Sequence, residues 1–331
     1  MPSNKSFQHL RTLISHLNDG EFHSGESLGR SLGLTRAAVW KILKTGIHYG
    51  LSIDSVVSKG YRLRVPLSLL DQKTIRNQLS ANTNKQLTTL SLFDQIDSTH
   101  RFLVESSPND TSGVAVCLAE TQTSGTGRYG RTWHSPFAQC IALSLRCRMD
   151  KAISELNSLS LAIASAIVKS LQKLGVTEPI KLKWPNDVLI NGKKIAGSLV
   201  SVKGESHGQC QCIISVGMNV QMQSTDFKIN QPWQDLSNFL PKPINRNNIV
   251  VCLLEEIMST LELFKQSGFS PFIDHWLEHD ALLNHPIALS HNATIKHGIA
   301  SGVNEYGHLL VKSSSDNNIA AYEMGEVSLK K

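Results

Sequence analysis

Residues 125–130 read Gly-Thr-Gly-Arg-Tyr-Gly, and this run lies between two apolar strands, Gly113 to Glu120 and Ile141 to Met149. The spacing is that of a dinucleotide-binding loop, and Asp150 even stands 20 positions past Gly130. The residues that follow decide against that fold. Arg131-Thr132-Trp133-His134-Ser135-Pro136 leads into a strand and not into a helix. Without a helix N-terminus, a bound phosphate loses both the aligned amide donors and the dipole. No G-x-x-x-x-G-K-[ST] run occurs, which excludes a Walker loop. The loop does carry its own cations, Arg128 and Arg131, whose guanidinium forks match phosphate and carboxylate oxygens. Taken alone, it reads equally well as a solvated surface loop.

The positive charge of the chain is concentrated at one end. Residues 1–65 hold nine Lys+Arg against four Asp+Glu, a net of +5, while the other 266 hold 24 against 23. A compact basic segment on a near-neutral body points to a polyanion-binding unit joined to something else. Phe7, Leu10, Leu13, Ile14 and Leu17 recur at helical spacing, and Asp19-Gly20 stops the run. Ser24 caps a short second helix through Leu28 and Leu32, and Gly33-Leu34 turns the chain. Thr35 caps a third helix from Arg36 to about Thr45, ending at Gly46. Two strands around Ser58-Lys59-Gly60 follow, and Pro66 opens a linker. This is a winged helix-turn-helix order. In the major groove its recognition helix presents Thr35, Arg36, Trp40, Lys41 and Lys44, with Lys59 and Arg62 of the wing on phosphates. Trp40 is equally suited to the core, and such a unit also serves protein contacts; the +5 charge favours DNA.

The chain of 331 residues is long enough for about two domains. Leu156, Leu159, Ile163, Ile167, Leu171 and Leu174 predict one long amphipathic helix ended by Gly175. Ile180 to Trp184 is a strand broken by Pro185, and Asn191-Gly192 between VLI and KKIAGSLV predicts a hairpin. Ile213 to Val216 is a further strand, and Asn248 to Phe264 a second long helix. The last fifty residues read as short strands of a small β-barrel, with turns at Asn304 to Gly307 and near Asp316-Asn317-Asn318. The longest apolar stretch, Leu161 to Val168, falls far short of the ~20 residues that span a bilayer, and no signal peptide is expected. The six cysteines form no Cys-x-x-Cys, so a zinc site is not expected; free thiols in a cytoplasmic chain are. Lys183-Trp184-Pro185-Asn186-Asp187 places a lysine at a strand end, stiffened by Trp and Pro; alone, it is equally a strand-edge lysine before a turn.

In order along the chain come Asp97-Ser98-Thr99, Ala119-Glu120-Thr121-Gln122, the Gly125–Arg131 loop with Trp133 and Ser135-Pro136, and the KWPND run at Lys183–Asp187. The run KKIAG (Lys193–Gly197), Gly217-Met218-Asn219 and a terminal GEVSL (Gly325–Leu329) complete the set. Each is weak; together they resemble the biotin–protein ligases. With the basic segment in front, nearly the full length resembles the bifunctional kind, a biotin–[acetyl-CoA-carboxylase] ligase that is also a biotin-operon repressor.

That resemblance implies an α+β multidomain fold. Its parts are a winged helix-turn-helix at 1–65, a mixed α/β ligase domain like the class II aminoacyl-tRNA synthetases at 66–279, and an SH3-like β-barrel at 280–331. It implies biotin and ATP as substrates with Mg²⁺, and transfer of biotin through biotinyl-5'-AMP to a lysine of a biotin carboxyl carrier protein. It further implies operator DNA and a ligand-induced homodimer as partners, and no membrane. By position, Lys183 and Arg128 are catalytic. Ser98, Thr99, His100, Gln122, Thr126, Gly127, Arg128 and Lys183 hold biotin, and Arg128, Arg131, Lys194, Asn219 and Trp233 hold the nucleotide. Lys194 could equally be hairpin surface, and Trp233 a core or rim residue. Three positions depart from the family pattern: His100 replaces Asn, Thr126 replaces Arg, and Ser215 replaces Gly. A non-catalytic biotin-sensing transcription factor and a lipoate-type acyl ligase are the alternatives. Intact Lys183 speaks against the first, and KWPND with the glycine-arginine loop against the second.

Overall fold

The computed structural model describes residues 4–106, 113–204, 209–223, 229, 231–291, 294–313, 318–323 and 325–329. Three helices open the chain: α1 (Asn4–Leu17), α2 (Gly25–Leu32) and α3 (Arg36–His48). The caps are those expected, since the Ser24 side chain accepts from the Ser27 N–H and that of Thr35 from the Ala38 N–H. A hairpin follows, β1 (Ile53–Val56) against β2 (Gly60–Leu63), with Ser58 left-handed in its turn. Helix α3 runs on past Gly46, which is not its stop. A Cβ there would stand 3.0 Å from both Leu10 and Leu51, so this glycine lets the two side chains pack closely against the helix. Trp40 is not core: it is 41% exposed and stacks on Tyr61.

The central sheet has seven strands in the order β3-β4-β5-β9-β8-β7-β6. In chain order, α4 (Gln72–Gln78), α5 (Ala81–Gln86), β3 (Leu87–Ile96), α6 (Thr99–Glu105), β4 (Val114–Gln122) and β5 (Cys140–Asp150) come first. Then come α7 (Leu159–Lys173), β6 (Ile180–Lys183), β7 (Asp187–Ile190), β8 (Lys193–Gly204), β9 (Gln209–Asn219), α8 (Arg246–Ser267) and α9 (Ile273–His279). Only β3 and β4 pair in parallel; the other neighbours are antiparallel. The hairpin expected at Asn191-Gly192 joins β7 to β8. Helix α7 differs from expectation in character: eleven of its fifteen residues are buried. Ala162, Ala164, Ser165 and Ala166 fill the faces that an amphipathic helix would leave to water, and α8 and the sheet enclose them. Helices α7 and α8 cover one sheet face, and the short α6 packs Phe102 and Leu103 on Ala115, Cys117 and Ile213 of the other.

The last strands are β10 (Pro286–His291), β11 (Thr294–Val303), β12 (Leu309–Lys312), β13 (Ile319–Tyr322) and β14 (Glu326–Leu329). They form a five-stranded antiparallel sheet, β13-β12-β11-β10-β14, whose Ile287, Leu289, Leu309 and Val311 share the hydrophobic core of the central layer. Of the turn expected near Asp316-Asn317-Asn318, only Asn318 lies within the described residues. No helix among them is long and apolar enough to cross a membrane.

One buried ion cluster ties the N-terminal segment to the sheet. Glu120 of β4 has no exposed surface; it accepts from Arg246 of α8 at 2.5 Å, from Arg11 of α1 at 3.2 Å and from the Leu70 N–H at 2.6 Å. Removing one member of such a pair strands a buried charge, which costs about 3–5 kcal/mol. Arg246→Ala should therefore lower the unfolding free energy by that amount in urea titration, while an exposed pair such as Arg30–Glu26 should cost below ~1 kcal/mol when broken.

Candidate active site

Register decides which sheet face is open. Ile141, Leu143 and Leu145 of β5, with Ile214, Val216 and Met218 of β9, belong to the core under α7 and α8. The alternating positions, Ala142 and Ser144 against Gly217 and Ser215, lie on the opposite face, with Gly197 of β8 beside Gly217. Small residues on three adjoining strands leave room, and a cavity of about 940 Å³ opens over them. Gly217 is required by a close approach: a Cβ there would stand 2.4 Å from the Trp133 ring.

Residues 125–133 form a narrow hairpin at the cavity rim. The Gly127 N–H donates to the Arg131 carbonyl at 2.7 Å, and the Trp133 N–H to the Gly125 carbonyl at 2.9 Å. Only a single 3-10 turn, Arg128–Gly130, interrupts it, so the helix that a dinucleotide fold needs is absent. Arg128 lies over the Tyr129 ring, 5.1 Å from its centre, and Arg131 pairs with Glu326 of β14.

Lys183 closes β6 on the cavity wall, and among the described residues its ammonium has no ion pair or hydrogen bond. Its surroundings are stiff. The Trp184 indole is buried and donates to the Gly307 carbonyl at 3.0 Å, and the Asn186 amide donates to the Ser198 carbonyl. Lys194 also lines the cavity, paired with Asp187 at 2.6 Å.

The inner end is polar. Ser98 caps α6, and the Gln122 carboxamide oxygen accepts from the Thr99 N–H at 2.9 Å and from its hydroxyl at 3.1 Å. His100 reaches Ser215 at 2.8 Å and Ser201 at 3.0 Å, and burial together with the Lys203 charge holds its pKa below the usual histidine value.

The cavity thus brings together Ser98, Thr99, His100, Gln122, Thr126, Gly127, Arg128, Arg131, Lys183 and Lys194 of the expected residues. Asn219 and Trp233 are not among its lining. The Asn219 amide donates to the Gln234 carbonyl, and backbone hydrogen bonds join residues 232 and 234 to Lys194, so both residues lie in the support of the β8 edge. Ser144 and Ser201 were not expected. Their only signal was a hydroxyl at alternate positions of otherwise apolar strands. Ser290 and Glu326, distant in sequence, had none. In the N-terminal unit Thr35, Arg36, Lys41, Lys44 and Lys59 are all exposed on one helix and a hairpin tip, whereas Arg62 is committed to Asp54 at 2.9 Å.

Among the described residues no three His, Cys, Asp or Glu cluster to hold a metal ion. The cavity carboxylates Asp187 and Glu326 are each engaged by a cation, so the donor set does not fit a resident magnesium site. The six cysteines are free, and burial pushes the Cys117 and Cys147 thiols up to about 12.

Residues 92–219 match the biotin/lipoate A/B protein ligase family. The bifunctional ligase/repressor BirA of Escherichia coli (strain K12) is 35% identical over 319 residues, covering 96% of each chain. The bifunctional ligase/repressor BirA of Bacillus subtilis (strain 168) is 30% identical, over 89% of this chain and 90% of its own. The structure of the biotin protein ligase from Aquifex aeolicus in complex with biotin and ATP superposes with a TM-score of 0.61 at 25% identity, covering 75% of this chain and 99% of that one. With relatives of this similarity along almost its whole length, the chain belongs to the bifunctional ligase/repressor proteins of the biotin/lipoate A/B protein ligase family.

Proposed function

We propose that this chain joins biotin to ATP and passes the biotinyl group to a lysine of the biotin carboxyl carrier protein of acetyl-CoA carboxylase, and that it represses biotin-synthesis genes with biotinyl-5'-AMP as corepressor. The observation that carries this reading is the Lys183 ammonium, without an ion pair among the described residues, in a cavity that also holds two arginines and the polar inner end. In the first step the biotin carboxylate attacks the α-phosphorus and pyrophosphate leaves with the electron pair. Both reactants are anions, so a cation between them and guanidinium groups over the leaving group lower the barrier. Lys183 supplies the first, and Arg128 and Arg131 the second. Magnesium enters with the triphosphate as part of that substrate. In the second step the carrier's lysine amine attacks the acyl carbon and AMP leaves. The ureido ring belongs at Ser98, Thr99 and Gln122, because a buried urea needs each N–H and its oxygen paired, at about 1–3 kcal/mol for each group left unmet.

We assign residues 1–65 to a winged helix-turn-helix reader, 66–279 to the ligase domain and 280–331 to an SH3-like barrel. The protein works in the cytoplasm, and ligand favours a homodimer that presents two recognition helices to two half-sites. Arg36, Lys41 and Lys44 project from the exposed side of α3, and Lys59 from the wing.

Replacing Lys183 by Ala should abolish biotin-dependent exchange of labelled pyrophosphate into ATP while the thermal unfolding curve stays in place; exchange at the wild-type rate would sink the assignment. Arg128→Ala should release biotinyl-5'-AMP faster, seen as labelling of unrelated lysines, whereas unchanged release kinetics would mean that this guanidinium is merely solvated. A gel shift on the chain's own biotin-gene promoter should tighten when biotin and ATP are added together, by the factor of 5–150 that a coupling of about 1–3 kcal/mol allows. Binding that ignores both ligands at every salt concentration would refute the coupling.

A further inference from the structure

The two departures His100 and Ser215 are one feature. They lie 115 positions apart, yet the His100 Nδ1 stands 2.8 Å from the Ser215 hydroxyl. That hydroxyl is 2.7 Å from Ser144, Ser144 is 2.8 Å from Thr99, and Thr99 is 3.1 Å from the Gln122 carboxamide oxygen. The direction of every hydrogen bond in this chain is determined. A backbone N–H can only donate, so the Gln122 atom 2.9 Å from the Thr99 N–H is the oxygen. The Thr99 hydroxyl then donates to that oxygen and accepts from Ser144. Each hydroxyl has one hydrogen, so Ser144 accepts from Ser215, and Ser215 accepts from His100. His100 is therefore the Nδ1–H tautomer. Its Nε2 is left as an acceptor, filled by the Ser201 hydroxyl at 3.0 Å. Burial and Lys203, which keep this imidazole neutral, agree with that tautomer.

The consequence lies in what remains for a ligand. Of this chain, Thr99, His100, Gln122 and Ser215 line the cavity, and both ring nitrogens of His100 are already engaged. Thr99 and Ser215 have spent their hydrogens and offer lone pairs only, while the Gln122 NH₂ is left with two donors and no partner among the described residues. The floor is thus complementary to one carbonyl flanked by N–H groups, the pattern of a cyclic urea. We propose that His100 is a positioning residue: through Ser215 it holds the floor hydroxyls as acceptors and so matches this pocket to the ureido ring. The inference rests on the reading of the cavity as a biotin site.

Ser215→Gly removes one acceptor and strands the His100 Nδ1–H; the KM for biotin should rise about tenfold, within the cost of one orphaned buried partner, with kcat at saturating biotin within about twofold. His100→Asn added to it removes the stranded donor, so the double variant should recover most of that KM, with a thermal melt run on each protein. Imidazole ¹⁵N shifts of the free wild-type protein, assigned by loss of signal in His100→Asn, should show a neutral Nδ1–H tautomer at pH 7. A KM that does not move in Ser215→Gly, a parallel fall in kcat, or an Nε2–H or charged imidazole overturns the proposal. A wild-type protein that does not use biotin sinks the functional reading instead, and the ¹⁵N shifts still decide the hydrogen-bond chain.

Discussion

A carboxylate with no exposed surface stands at the junction of four parts of this molecule. Glu120 belongs to β4, its acceptors are filled by α1, by the linker at Leu70 and by α8, and its own carbonyl accepts from the Ala138 N–H. Arg246 extends the cluster to the Cys140 and Ser68 carbonyls. A charge taken out of water is tolerable only when it is surrounded in this way. The packing around it follows. Phe137 and Ala138, on the segment that returns from the glycine-arginine loop, belong to the core of the N-terminal helices, and Phe137 stacks on Phe7. The N-terminal helices and the glycine-arginine loop are therefore attached to the same stretch of backbone.

The site depends on a second constraint, the alternation of large and small residues along β5 and β9. Large side chains fill the space under α7 and α8; small ones on the other face clear a cavity and leave hydroxyls where they can touch one another. This is why the polar inner end is a chain of single hydrogen bonds and not a set of independent side chains. Such a chain is worth more intact than the sum of its members suggests. The C-terminal sheet completes the cavity from outside, with Glu326 on Arg131.

Local elements were largely legible. Caps at Ser24 and Thr35, the Asn191-Gly192 hairpin and the apolar run of β4 depend on residues within a few positions of one another. Where the reading missed, long-range packing was responsible. Gly46 reads as a stop because glycine disfavours helix, but it lies inside α3, where Leu10 of α1 and Leu51 pack closely against it. Trp40 suits either the core by its size or the presented face of α3 by its position, and packing left it on the exposed face. Helix α7 reads as amphipathic because its large apolar residues recur at helical spacing, although Ala162, Ala164, Ser165 and Ala166 between them are buried as well.

For the site, the order of short runs along the chain was enough to identify the family and to nominate Lys183, Arg128, Arg131 and Gln122, because family identity is carried by residue types at fixed spacing. Nothing in that order relates His100 to Ser215, or brings Glu326 to Arg131, since each pair is joined only when elements distant in sequence pack together. The sequence by itself determined the helices, turns, charge distribution and chemical repertoire, all of which arise from neighbours along the chain. Tertiary structure alone decided which cations stay free, which way each hydroxyl points and which face of the sheet stays open, because these depend on contacts between separate elements of the fold.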